Sequence, residues 1–390
     1  MTIKIDGKFV EFFTAGSINL KLDSIASTFE FAARFNAQNL EHQVMLKPLQ
    51  YKDVEIFNAK NKLIFTGTIL NHRFRSNKGR ELVIISGYSK CGILEDVTIP
   101  VSAYPLESTN RSLEDIATKL CNLYGIKLAI SDQSKSISDT ALIFDKRNSD
   151  KSTFKHLKSK VKAIFGRTVA SPTESIKDYL AKLAGQKNII LSHNEKGEVL
   201  LFQPDYDQKP KYFFTKGNSL SMSADFNGQA LHSEINIIRQ PTDDNEGISI
   251  SDKVVNPLVN KYRATTKVLT CGEESDTTYA AKNELASELK AITLNVELQG
   301  LFDEIYPGEI VNVHNHYIYC YAYNRFMVES ITLKFNEKED ATSLNLLVPE
   351  AFTGGPLIRN ILFNHLDEDD HTNVHLNEYK NEYLNDKTIL

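Results

Sequence analysis

The stretch Glu81-Leu-Val-Ile-Ile-Ser-Gly-Tyr-Ser-Lys-Cys-Gly-Ile-Leu-Glu-Asp-Val-Thr-Ile-Pro100 decides how this chain is read. A β-run ends in Ser86-Gly87-Tyr88, a short apolar turn of helix follows, and a polar break closes it. Farther on comes Arg111-Ser-Leu-Glu-Asp-Ile-Ala-Thr-Lys-Leu-Cys-Asn-Leu-Tyr-Gly125. Ser112 caps a predicted helix with Leu113, Ile116, Ala117, Leu120 and Leu123 on one face, and Gly125 ends it.

Upstream, the first hundred residues read as short strands at hairpin spacing. Ile3 and Ile5 alternate with polar residues, Asp6-Gly7 makes a two-residue turn, and Lys8 to Phe13 returns. Ile18 to Leu22, Thr28 to Phe31, Val54 to Phe57, Leu63 to Phe65, Thr68 to Phe74 and Glu81 to Ser86 complete the set. Such a series predicts a small barrel or sandwich.

Downstream, residues 101–215 change character. Ser171-Pro-Thr-Glu174 predicts a second helix start with Ser171 as cap, and Ile176, Tyr179, Leu180 and Leu183 form its apolar stripe. A hairpin follows, turning at Asn194-Glu-Lys-Gly197. From residue 216 the pattern is β again, with a predicted helix at Thr277 to Ala291. Its five closing strands are Thr293 to Leu298, Glu309 to Val313, Ile318 to Tyr323, Phe326 to Lys334 and Ser343 to Leu347. After Pro349 periodicity is lost.

At 390 residues, with 41% hydrophobic and 24% charged side chains, the chain supports several buried cores. No run approaches a membrane-spanning length. A strand pattern begins at Met1, which argues against a signal peptide. The four cysteines, Cys91, Cys121, Cys271 and Cys320, form no CxxC pair and read as buried reduced thiols.

Net charge is −5, and Leu366 to Leu390 alone carries it: seven acids against two lysines. The rest is balanced, so no overall field draws the body onto nucleic acid. Residues 146–168 hold eight basic side chains and one acid, with Phe154, Leu157, Val161 and Ile164 as an apolar helical stripe. The candidate partner contacts are therefore Lys151, Lys155, Lys158, Lys160 and Lys162 on the basic segment, and Asp367, Glu368, Asp369 and Asp370 on the acidic one. Aromatic residues are not interleaved with these lysines, which favours a protein surface over nucleic-acid bases.

Catalytic motifs are absent: there is no GxSxG, Walker loop, HExxH or GxGxxG. His314 and His316 lack a third ligand nearby, and His371 and His375 sit in the acidic segment. The sequence thus predicts no enzyme, no cofactor and no metal. Two carboxylates across a cleft, as in a cell-wall hydrolase, would leave no local signature.

The succession Ser86-Gly-Tyr-Ser-Lys90, Leu94-Glu-Asp96, Ser112-Leu-Glu-Asp-Ile-Ala117, Pro172-Thr-Glu-Ser-Ile176, Glu195-Lys-Gly-Glu-Val199, the 277–291 helix and Pro307-Gly-Glu-Ile-Val311 resembles the baseplate hub proteins of Mu-like contractile phages. The resemblance spans most of residues 1–350. It implies an α+β, mainly β fold with two small β-barrel domains flanking an α/β middle region, in a ring-forming homotrimer. The expected domains are 1–100, 101–215 with the basic insertion, 216–350 with the inserted helix, and an acidic extension 351–390. It implies a structural role in the virion's tail baseplate, assembled in the host cytoplasm. The partners would be spike, tube and other baseplate proteins, with DNA passing through the channel without specific binding. A tailocin or type VI secretion hub, or a tail-associated glycan-binding or hydrolytic protein, is the alternative.

Overall fold

The computed structural model describes residues 1–77, 80–131, 157–158, 160–187, 189–203, 208–239, 251–269, 277–336 and 339–353. Strands β1 (Thr2–Ile5) and β2 (Lys8–Val10) pair through Asp6 and Gly7, whose φ angles of 48° and 77° are those a two-residue hairpin turn demands. Then come β3 (Phe13–Lys21), β4 (Thr28–Arg34), the short helix Leu40–Met45, β5 (Asp53–Phe57), β6 (Leu63–Asn77) and β7 (Arg80–Ser89). The decisive stretch folds as read: β7 runs into a 3-10 turn at Lys90–Gly92 and the helical turn Ile93–Asp96. Tyr88 Oη donates to Asp96 Oδ2 at 2.7 Å, which ties the strand end to that turn.

The middle region holds β8 (Glu107–Ser112), β9 (Leu128–Ser131), β10 (Ile164–Val169), β11 (Ile190–His193) and β12 (Val199–Phe202). Between them lie the helices Leu113–Asn122 and Ile176–Gln186. Both helices bury the predicted stripe, except that Leu123 is exposed. They share a core with Cys91, Leu94, Val161, Leu191 and Leu201. Ser112 accepts from Asp115 N at 3.1 Å while Asp115 accepts from Ser112 N at 3.2 Å, a reciprocal cap. Ser112→Ala removes one side of it and is expected to cost about 1 kcal/mol, read as a shift in the thermal or urea midpoint.

Two local expectations are corrected here. The second helix is capped by Ser175, which accepts from Asp178 N at 3.0 Å; residues 171–174 form a separate turn closed by Glu174 N to Ser171 O. The apolar stripe of the basic segment also breaks. Leu157 and Val161 are buried on helical backbone, but Ile164 starts β10 and stands exposed, because pairing with Ser112 draws it into a strand.

The last part contains β13 (Tyr212–Thr215), β14 (Ser221–Phe226), β15 (Glu234–Arg239), β16 (Ser251–Val255), β17 (Ala264–Leu269), the helix Thr277–Leu289, β18 (Ile292–Gln299), β19 (Ile310–Asn315), β20 (Cys320–Asn336), β21 (Ala341–Leu347) and a helical turn at Glu350–Thr353. Two of the predicted closing strands merge in β20. Strands β15, β16 and β17 form a separate small sheet beside the 277–289 helix, tied to it by His232 and Glu288, whose Nδ1 and Oε1 lie 2.7 Å apart.

In the middle region β8 pairs with β10, and β12 lies between β11 and β9; the remaining thirteen described strands join one sheet in the order β14-β18-β21-β20-β3-β4-β7-β6-β5-β1-β2, with β19 also on β20 and β13 on β19. The fold is mainly β, as expected, but no closed barrel is found among the described strand pairings. The reason is the length of β20. Its first half pairs with β19, and its second half offers an edge that β3 occupies from the other end of the chain. The core is continuous across that join: Ile18, Leu20, Phe31, Ile331 and Leu333 are buried in one cluster. Each such side chain contributes roughly 1.5–3 kcal/mol by leaving water.

Candidate interaction edges

Within the large sheet one five-strand unit occurs twice. The strands β3 to β7 lie in the spatial order β3-β4-β7-β6-β5, and β14, β18, β19, β20 and β21 lie in the order β14-β18-β21-β20-β19. In chain order both read first, second, fifth, fourth, third. All neighbouring pairs within both units are antiparallel.

The correspondence extends to single residues. The fourth strand of each unit carries one bulge against the fifth, at Leu70 in β6 and at Glu329 in β20. Beside each bulge the same backbone bond recurs: Ile69 N donates to Lys52 O, and Val328 N to Glu309 O, both at 2.9 Å. A bulge adds one residue to one strand and bends it there. Two bulges at equivalent places therefore turn the two long strands alike.

The units differ in what their edges meet. On the second half of β20, Ser330 to Asn336 pair with Lys21 to Ala15 of β3. The equivalent half of β6, residues 71–77, is paired with β7 on one side; β5 reaches only to Thr68 on the other. At the far end of the sheet β14 pairs with β18 alone among the described strands. Phe74 on the first edge is 43% exposed and Phe226 on the second 41%. A strand edge with uncovered aromatic side chains is a template for another strand. Neither edge is visible in the sequence; the only local sign is the break in alternation at Leu70 and at Glu329.

Of the charged candidates, Lys158 and Lys162 are exposed and Lys160 is half-buried, its ammonium held below the usual lysine range by burial. Lys151, Lys155, Asp367, Glu368, Asp369 and Asp370 lie outside the described residues, as do Cys271, His371 and His375. His314 is on β19, whereas His316 leaves the strand and lies tilted against the Tyr317 ring, with centroids 4.1 Å apart. Among the described residues no three His, Cys, Asp or Glu side chains gather to hold a metal ion. The buried thiols of Cys91, Cys121 and Cys320 are pushed up to about 12 by desolvation, which keeps them protonated and unreactive at neutral pH. No helix among the described residues is long and apolar enough to cross a membrane.

No family model matches the sequence, and no curated protein matches it. Solved structures do match, and they define the architecture as that of prophage tail proteins. The prophage MuSo2 43 kDa tail protein from Shewanella oneidensis superposes with a TM-score of 0.71 at 16% identity, covering 90% of this chain and 99% of that one. A tail protein from Neisseria meningitidis MC58 gives 0.69 at 17% identity, with 90% and 97% covered. The E. coli c3393 protein, a component of the type VI secretion system, gives 0.53 at 7% identity, with 92% and 80% covered.

Proposed function

We propose that this chain is a structural subunit of a contractile phage tail baseplate, the hub, without enzymatic activity of its own. Three copies form a ring, and each copy supplies two like, barrel-type units, so threefold symmetry of chains presents six similar walls. Such a ring joins a sixfold tail tube to a threefold spike. The observation that carries this reading is the doubled five-strand unit, with its shared strand order and equivalent bulges. The likeness to two prophage tail proteins over nearly their whole length supports it. The c3393 likeness favours the same architecture in a secretion spike as the second reading.

The ring's partners are the spike, the tube and other baseplate proteins, and DNA passes through its channel without specific binding. Its place is the virion tail, after assembly in the host cytoplasm. Lys151, Lys155, Lys158, Lys160 and Lys162, with Asp367, Glu368, Asp369 and Asp370, serve peripheral contacts that salt weakens. Light scattering tests the ring: the expected mass is three times 44.1 kDa. A chain that stays monomeric alone and within purified particles overturns it, and digestion of cell walls by the purified protein overturns the non-enzymatic part. Deleting residues 366–390 is expected to leave folding and trimer mass unchanged while lowering the yield of assembled particles. A truncated chain that fails to trimerise would make that segment part of the ring.

A further inference from the structure

The join between the two units inside one chain supplies a template for the join between chains. There, the first strand of one unit (β3) lies antiparallel on the outer half of the other unit's fourth strand (β20). Each chain retains one such pair of edges without a partner strand among the described residues: the outer half of β6, again a fourth strand, and β14, again a first strand. We propose that β14 of one copy adds to residues 71–77 of β6 in the next copy, antiparallel, with Asp225 opposite Arg73. This rests on the ring reading and deepens it by naming the seam.

The register follows from pairings already described. The bulges make Glu329 equivalent to Leu70, so Thr332 corresponds to Arg73. Counting across the second and fifth strands makes Ser221 equivalent to Ala15, so Asp225 corresponds to Asn19. The internal pair Thr332–Asn19 thus becomes Arg73–Asp225 between chains.

The side chains fit this register on both faces. On the apolar face of the internal join, Phe335 lies opposite Gly16, where an added Cβ would come within 2.5 Å of the Phe335 ring. Between chains the sizes reverse, with small Ser76 opposite Met222. Leu333 opposite Ile18 becomes Phe74 opposite Ala224, again one side chain larger and one smaller. Ile331 opposite Leu20 becomes His72 opposite Phe226. The internal members Ile331, Leu333, Ile18 and Leu20 are buried, whereas Phe74 and Phe226 are the rings left exposed at the edges. On the polar face, Thr332 opposite Asn19 becomes a pair of opposite charge, and opposite charges across antiparallel strands stabilise the pairing. A one-residue slip would turn Phe74 and Phe226 to the wrong face and part Arg73 from Asp225.

The seam is tested by cysteine cross-linking in the full chain. Arg73→Cys and Asp225→Cys are combined in one chain, oxidised, and run without reductant, with mass measured by light scattering in parallel. The expected result is an intermolecular ladder ending at the covalent trimer. The expected yield is at least tenfold above the shifted control Phe74→Cys with Asp225→Cys. A trimer by light scattering with no preference for the predicted pair overturns the seam and leaves the ring reading standing. Preferential cross-linking into dimers or long ladders without a trimer supports the seam and overturns the closed ring. Neither trimer nor cross-link overturns both.

Discussion

Arg73→Asp is expected to dissociate the trimer, and adding Asp225→Arg to the same chain is expected to restore it. The single change replaces an attraction across the seam by a repulsion between two carboxylates. A cross-strand charge pair is worth roughly 0.2–1 kcal/mol, so reversal costs about 1–2 kcal/mol at each seam. Three seams close the ring, and each ~1.4 kcal/mol is a factor of ten. The trimer association constant therefore falls by roughly two to four orders of magnitude. The fold should be unaffected, because Arg73 is exposed and its neighbour on β7 is Ile84, not a charge. Sedimentation or light scattering at low salt reads the effect, and circular dichroism verifies the fold. High salt should shrink the difference between the single variant and the wild type. Failure of the double reversal to restore the trimer, with both singles folded, would place Arg73 and Asp225 elsewhere than opposite each other.

Gly87→Ala is expected to be the most destabilising small substitution in the N-terminal unit. Gly87 lies on β7 opposite Ile69, beside the bulge at Leu70. A Cβ there would stand 1.9 Å from the carbonyl oxygen of Thr68 and 3.0 Å from the Phe29 ring. The first contact is with backbone, so no rotamer change relieves it. Strand β6 would have to move away from β7, loosening the pairs that hold Phe29, Phe31 and Phe65 in their cluster. Forced overpacking of this kind costs about 3 kcal/mol, which should lower the melting temperature by several degrees. Gly16→Ala meets two phenylalanine rings instead of backbone, and rings can shift. Its loss should be smaller. Equal losses in the two variants, measured by calorimetry, would show that the bulge geometry at Leu70 is not what demands glycine at 87.

The sequence by itself determined many of the strands, the longer helices and several of the turns between them. The Asp6-Gly7 hairpin, the Ser112 cap, the turn at Gly197 and the buried stripe of the Ile176–Gln186 helix all follow from interactions within a few residues. The quoted stretch at 81–100 was legible for the same reason, and its resemblance to tail hub proteins led to the architecture the solved prophage tail proteins share. The choice of cap between Ser171 and Ser175 was not legible, because both serines satisfy the local rule and the antiparallel bridge from Thr98 to Ser175 decides between them. Ile164 likewise left its helical stripe because Ser112, far away in sequence, offered it a strand partner. Only the tertiary structure decided which strands are neighbours. Period-two alternation tells a strand which face to bury but carries no label for the strand beside it. So the pairing of β3 with β20, the repeated strand order and the two edges left without a partner among the described strands are encoded in long-range packing. They rest on such features as the size match of Gly16 with Phe335, which no local window contains.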